Sequence, residues 1–199
     1  MEDKVKRIIT CDLDGKVDCA DPECGQPCPV AGNGCVEPFE VASVGFQVNG
    51  TTEGLDDALS APANCADIYA GKGEGSPDAI YHLKVAQTGL YSVSIDADQT
   101  DFNTILYLIW TCETAPSVCP GASDVPGTGG EQLYFLAKEG EDQYVVVDGV
   151  LPEDKGAYGL SISFLGGVEV DCGDGIDDDE DGDIDCADPD CSSVSICSQ

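Results

Sequence analysis

The chain has 199 residues, with 39 acidic side chains against 8 basic ones and a net charge of −31. A field of that sign repels phosphate backbones and anionic lipid surfaces, so nucleic acid and anionic membrane surfaces are poor partners, no nucleic-acid partner is expected, and cations are the natural complement. The hydrophobic fraction of 42% is ordinary for a globular protein, and its apolar runs crowd between Phe39 and Phe164, where a core can form.

Charge and cysteine divide the chain into three parts: a Cys-rich module over 1–38, a central domain over 39–170, and a second Cys-rich module over 171–199. The first holds five cysteines (11, 19, 24, 28, 35), the second three (65, 112, 119) and the third four (172, 186, 191, 197). Twelve cysteines in a chain this size predict disulfides, largely within each module, and an oxidising compartment. Zinc is the rival reading, because Cys24 and Cys28 are spaced C-x3-C. However, the Cys-rich ends contain no histidine, and their Asp, Gly and Pro neighbours suit hard, oxygen-bound ions. "EDKVKRIIT" after Met1 has no apolar h-region and no stretch is a membrane span, so membrane insertion is not expected. A leader for secretion is expected outside the given chain.

The centre reads as strands. "AIYHLKV" puts Tyr81, Leu83 and Val85 on one face and His82 on the other. "GLYSVSIDAD" alternates Tyr91, Val93 and Ile95 with polar residues, and "FNTILYLIW" is a nearly continuous apolar run. "EQLYFLAK" and "DQYVVVDGV" follow, joined by "EGED", which reads as a hairpin loop. "GAYGLSISF" alternates again through Tyr158, Leu160, Ile162 and Phe164. Six or more short strands broken by Gly, Pro and Asp turns predict an all-β, antiparallel β-sandwich, with no long helical period. Tyr107 and Trp110 are expected to pack in their strand, and Cys112 and Cys119, bracketing a turn-rich loop, to pair. Asn49-Gly50-Thr51 reads equally as a glycosylation sequon and as a turn.

The order "GSPDAIYHLKVAQTGLYSVSI…DFNTILYLI…YVVVDG…GAYGLSI" resembles the bacterial pre-peptidase C-terminal domain over roughly residues 43–165. The resemblance implies a jelly-roll-like sandwich of the kind found in secreted proteins. Some such domains sit beside hydrolases, and those of collagenases bind the substrate. Function does not transfer with the fold.

The ends repeat one another. "DLDGKVDCADPEC" (Asp12 to Cys24) and "DEDGDIDCADPDC" (Asp179 to Cys191) are identical at nine of thirteen positions, at a constant offset of 167 residues. In "DDDEDGDIDCAD", carboxylates fall at positions 1, 3, 5, 9 and 12, namely Asp177, Asp179, Asp181, Asp185 and Asp188. Gly182 takes position 6, where the turn needs positive φ. Asp183, at position 7, would give a backbone carbonyl, and Ile184 would point inward. This is the hard-oxygen set that Ca²⁺ requires. Asp174, with Asp177, is placed to serve a second, adjoining ion. In the N-terminal copy Asp12, Asp14, Asp18 and Asp21 hold positions 3, 5, 9 and 12, Thr10 replaces the first carboxylate, and Lys16 at position 7 offers only its backbone oxygen. Weaker binding, or a ligand supplied from elsewhere, is expected there. The pattern also resembles the thrombospondin type 3 repeat, which implies a chain wrapped around calcium ions and tied by disulfides. The opposing reading, a solvated acidic tail, does not require fixed glycines and cysteines or a second copy.

No enzyme signature stands out. His82 is the sole histidine, no G-x-S-x-G elbow occurs, and "GTGG" at 127–130 lacks the lysine of a phosphate cradle. The expectation is a secreted, extracellular or cell-surface, non-catalytic protein with calcium-binding modules at both ends. It is expected to act as a homo-oligomeric or polymeric structural subunit of a filament or tube. The alternative is an accessory module of a hydrolase or adhesin that binds matrix or polysaccharide.

Overall fold

The computed structural model describes residues 31–62, 65, 72–112 and 119–197. Nine strands form two facing sheets. The five-stranded sheet runs β1-β3-β8-β5-β6 and the four-stranded sheet β2-β9-β4-β7. The strands are β1 (Phe39–Val41), β2 (Phe46–Thr51), β3 (Ala79–Lys84), β4 (Gly89–Asp96), β5 (Thr104–Ile109), β6 (Gly121–Ser123), β7 (Gln132–Ala137), β8 (Asp142–Gly149) and β9 (Ala157–Gly166). Every ladder is antiparallel except β1 on β3. The all-β sandwich expected from the alternation is therefore the observed fold. Among the described residues the only helices are short 3-10 turns, and none is long and apolar enough to cross a membrane.

Alternation fixes the inner faces. Tyr91, Val93 and Ile95 of β4 and Tyr158, Leu160 and Ile162 of β9 face Tyr81 and Leu83 of β3 and Val145 and Val147 of β8, all buried. The hydroxyls of Tyr81 and Tyr158 meet across the sheets at 2.7 Å, so neither phenol is left unpaired in the core. The unbroken run in β5 has a different cause. All six of its residues are buried, because a second apolar layer covers the outer face of the five-stranded sheet. Leu59, Ala61 and Cys65 pack there on Ile80, Ile105, Tyr107, Ile109 and Val146. Asp78, fully buried, anchors that cover by accepting from the amides of Ala58 and Leu59, each at 2.8 Å.

The cover also corrects the expected cysteine pairing. Cys112 bonds Cys35 and Cys119 bonds Cys65, so Cys112 and Cys119 are not partners. Both lie beside the outer layer, where Cys65 of the covering segment and Cys35, ahead of β1, supply the partners. The Cys35–Cys112 bridge joins a residue grouped with the N-terminal module to the end of β5. It spans 77 residues of sequence.

Three local readings change as well. "EGED" is not a hairpin: β7 pairs with β4 and β8 with β3 and β5, in opposite sheets. The turn arches over the end of the sandwich and bonds Val85 on both sides, through Gly140 N–H to Val85 O and Val85 N–H to Glu141 O. Turn chemistry is the same for either connection, and the partner strands decide. Asn49-Gly50 is strand, not turn, with Asn49 exposed on β2 opposite Gly159. Gly50 makes room for Tyr158, since a Cβ there would lie 2.5 Å from the phenol oxygen. Trp110, one residue beyond β5, is 53% exposed instead of packed.

Candidate metal centres in the C-terminal acidic module

Segment 171–197 has little apolar surface to bury. Ile176, Ile184, Val194 and Ile196 are 57, 43, 38 and 59% exposed. Ile184 therefore does not point inward as the loop template required, because no apolar interior exists to receive it. Two internal disulfides, Cys172–Cys191 and Cys186–Cys197, take the place of a core. Cys191 at their centre is sealed from water.

Carboxylates organise the rest of the backbone. Asp177 accepts from Gly182 N–H at 3.0 Å, Asp181 from Asp183 N–H at 2.9 Å, Asp185 from Gly175 N–H at 3.1 Å and Asp188 from Asp190 N–H at 2.6 Å. Gly182 has φ +101°, the left-handed conformation expected at that position, and Glu180 and Asp185 also adopt positive φ.

Three groups of acidic side chains can hold a metal ion: Glu169, Asp174 and Asp185; Asp177, Asp179 and Asp181; and Asp179, Asp188 and Asp190. In each group the candidate ligand oxygens lie within 4.8 Å of one another. Each group also includes a buried oxygen with no hydrogen-bond partner: Glu169 Oε1, Asp177 Oδ1 and Asp188 Oδ2. Burial, and then the surrounding carboxylates, push Glu169 and Asp179 above the ordinary carboxylate range. Like charges gathered this closely favour either protons or a bound cation. The donors are hard oxygens only, with no thiolate and no imidazole, which suits a hard cation.

The expected ligands are thus brought together, but not around one point. Asp177, Asp179 and Asp181 gather as one set. Asp188 joins Asp179, and Asp185 joins Asp174. Asp183 belongs to none of the side-chain groups. Glu169 and Asp190 were not singled out in the sequence. For Asp190 a signal existed, since the matching position of the N-terminal copy, Glu23, is also acidic. Glu169 precedes the repeat and carried none. Asp12, Asp14, Lys16, Asp18 and Asp21 lie outside the described residues.

One basic group of the sandwich enters the module. Lys138, in the β7–β8 arch, reaches Asp178 at 3.1 Å and Asp174 at 3.7 Å. The Asp178 hydrogen bond holds its ammonium above the usual lysine range. His82 is committed elsewhere. Its Nδ1 meets Glu40 and its Nε2 meets Asp142, each at 2.9 Å, and its ring stacks on Tyr144.

The sandwich is similar to solved structures. The pre-peptidase C-terminal domain of collagenase from Bacillus anthracis is 15% identical, covers 64% of this chain and 95% of its own, and superposes with a TM-score of 0.41. PliG of Aeromonas hydrophila, a periplasmic inhibitor of g-type lysozyme, is 14% identical, covers 64% and 96%, and gives 0.37. No protein-family model matches the chain, and no curated protein matches it by sequence. All eight cysteines among the described residues are paired in four disulfides, which requires an oxidising, extracytoplasmic setting.

Proposed function

We propose that this protein is a secreted, non-catalytic structural subunit whose Cys/Asp-rich ends bind calcium and carry subunit-to-subunit contacts in an extracellular or surface assembly. The observation that carries the calcium reading is the recurrence of one unpartnered buried carboxylate oxygen in each of the three acidic groups. A buried carboxylate oxygen that no donor reaches is suited to a cation. Assembly is supported by the repeat that flanks the central domain on both sides in sequence and by the thinner ligand set of the N-terminal copy. A terminus facing the opposite terminus of a second subunit forms a heterologous contact, which propagates unless it closes into a ring. At −31 per chain, subunits without calcium repel. A non-catalytic role is supported by His82, whose ring nitrogens are both held by carboxylates.

Light scattering on purified protein, in millimolar calcium and then in chelator, tests this. The expected result is a large, chelator-reversible species. A monodisperse monomer in both conditions across a wide concentration range sinks the assembly.

One observation favours the accessory-module reading. Trp110 and Leu136, both more than half exposed, line an open cleft of about 450 Å³ with Asp142 and Gln143. An exposed indole beside hydrogen-bonding side chains suits a sugar ring. Trp110 is the sole tryptophan, so its fluorescence reports directly on added polysaccharide.

A further inference from the structure

Glu169 stands between the two regions of the molecule. It follows β9 by three residues and precedes Cys172, the first cysteine of the module. Its side chain is only 5% exposed. Oε2 accepts from Asp178 N–H at 3.3 Å, while Oε1 has no partner. Its carboxylate shares one 4.8 Å cluster with Asp174 and Asp185, both from the module. Lys138 does not supply the missing partner, because its ammonium is turned to Asp174 and Asp178. The chain beside Glu169 is closely packed: a Cβ on Gly167 would lie 2.8 Å from the Cβ of Asp179.

We infer that Glu169, Asp174 and Asp185 form a separate divalent-cation site that fastens the C-terminal module to the end of the sandwich. The ion's identity rests on the calcium reading above; the existence of this site rests on Glu169. Three carboxylates with a buried, donorless oxygen make a site for a hard cation. Two of them, Asp174 and Asp185, belong to the crosslinked module, where Gly175 N–H bonds Asp185 at 3.1 Å. The third belongs to the strand exit. A cation shared by all three therefore ties a crosslinked unit to a strand that is already fixed in the sheet. Without it, the like charges push the two apart, and the Lys138 contacts and the Asp178 N–H bond to Glu169 oppose them.

The test is calcium titration calorimetry on the full chain after stripping with chelator, together with hydrogen exchange over 167–171. Three variants are compared with the parent: Glu169→Gln, Asp185→Asn and Asp181→Ala. Asp185→Asn keeps an acceptor for Gly175 N–H and tolerates the positive φ, so it guards against a folding defect in the first variant. Glu169→Gln and Asp185→Asn should each lose one ion, or bind it at least tenfold more weakly, and should lose the calcium-dependent protection of 167–171. Asp181→Ala should also lose ions, yet keep that protection. Parental stoichiometry, affinity and protection in both Glu169→Gln and Asp185→Asn would overturn the site while leaving the calcium module standing. A parent chain that binds no calcium overturns both.

Discussion

In the sandwich Tyr91, Val93, Leu160 and Ile162 are shut away from water to 1% exposure or less. In segment 171–197 the four large aliphatic side chains, Ile176, Ile184, Val194 and Ile196, are 38–59% exposed. The sandwich is ordered by apolar burial, at about 1.5–3 kcal/mol for each large side chain. The module has two disulfides closing short loops and a set of carboxylates whose ion-pair partner among the described residues is Lys138. The difference teaches that one chain can hold two regions whose stabilities answer to different variables. Volume and apolar area govern the first. Redox state governs the second and, on the proposed metal binding, so does cation concentration.

The largest expected effect sharpens that division. Replacing Cys35 and Cys112 together by serine opens a 77-residue loop and should cost the sandwich roughly 4.5 kcal/mol in the loop-closure picture. Replacing Cys172 and Cys191 opens a 19-residue loop and should cost roughly 3 kcal/mol, confined to the module. Hydrogen exchange resolved by segment reads both. If loss of Cys172–Cys191 also exposed the β4 and β9 amides, the two regions would be one cooperative unit and the comparison would break.

A second effect belongs to the sandwich alone. Burial raises Asp78 from 3.8 to about 6, against the two amides that pull it down. Its folded pKa lies above its unfolded one, so between pH 4 and 6 the folded state binds more protons and stability falls as pH rises. The loss is roughly 3 kcal/mol, complete above pH 6. Asp78→Asn keeps an acceptor for Ala58 and Leu59 and removes the titration. The stability difference between parent and variant should therefore shift by that amount across the window. A pH-independent difference in denaturant melts would show that Asp78 is not held neutral by its surroundings.

Much of this was legible in the sequence, and the exceptions have physical causes. Alternation in β3, β4 and β9 announces inner faces because a half-buried strand has period two. The continuous run in β5 announces burial on both sides, but not what does the covering. The covering residues Leu59, Ala61 and Cys65 lie in a short, mixed stretch without periodicity, so neither the cover nor the cysteine pairing that pins it could be read. Gly182 was legible because only a positive φ closes so tight a loop. The division of the acids into three groups was not. It depends on which cysteines pair and on Glu169, which the repeat does not contain.

Calcium should act on the module in proportion to occupancy. At a concentration ~100 times Kd, one site adds about 2.7 kcal/mol. The gain should appear as slower exchange over 171–197, with the amides of β4 and β9 unchanged. Equal slowing in both regions would mean that the ions stabilise the whole chain.

The smallest effect tests the sandwich's own electrostatics. Burial disfavours the charged His82 ring, but the Asp142 and Glu40 carboxylates outweigh it and hold the imidazole above 6.5. The clamp joins β1, β3 and β8 at a strand edge, and its partners are well exposed, with Glu40 at 71% and Asp142 at 48%. Solvent screening therefore keeps its worth below about 1 kcal/mol. The folded pKa is the higher one, so this stabilisation is complete below pH 6.5 and is lost as pH rises through the folded value. His82→Gln should remove that dependence and leave the module's exchange untouched. Since His82 is the only histidine, one imidazole resonance reports the titration without ambiguity. A midpoint at or below 6.5 would show that the carboxylates do not hold the ring, and β1 would then stay on β3 by its ladder and by Phe39 against Tyr81 alone.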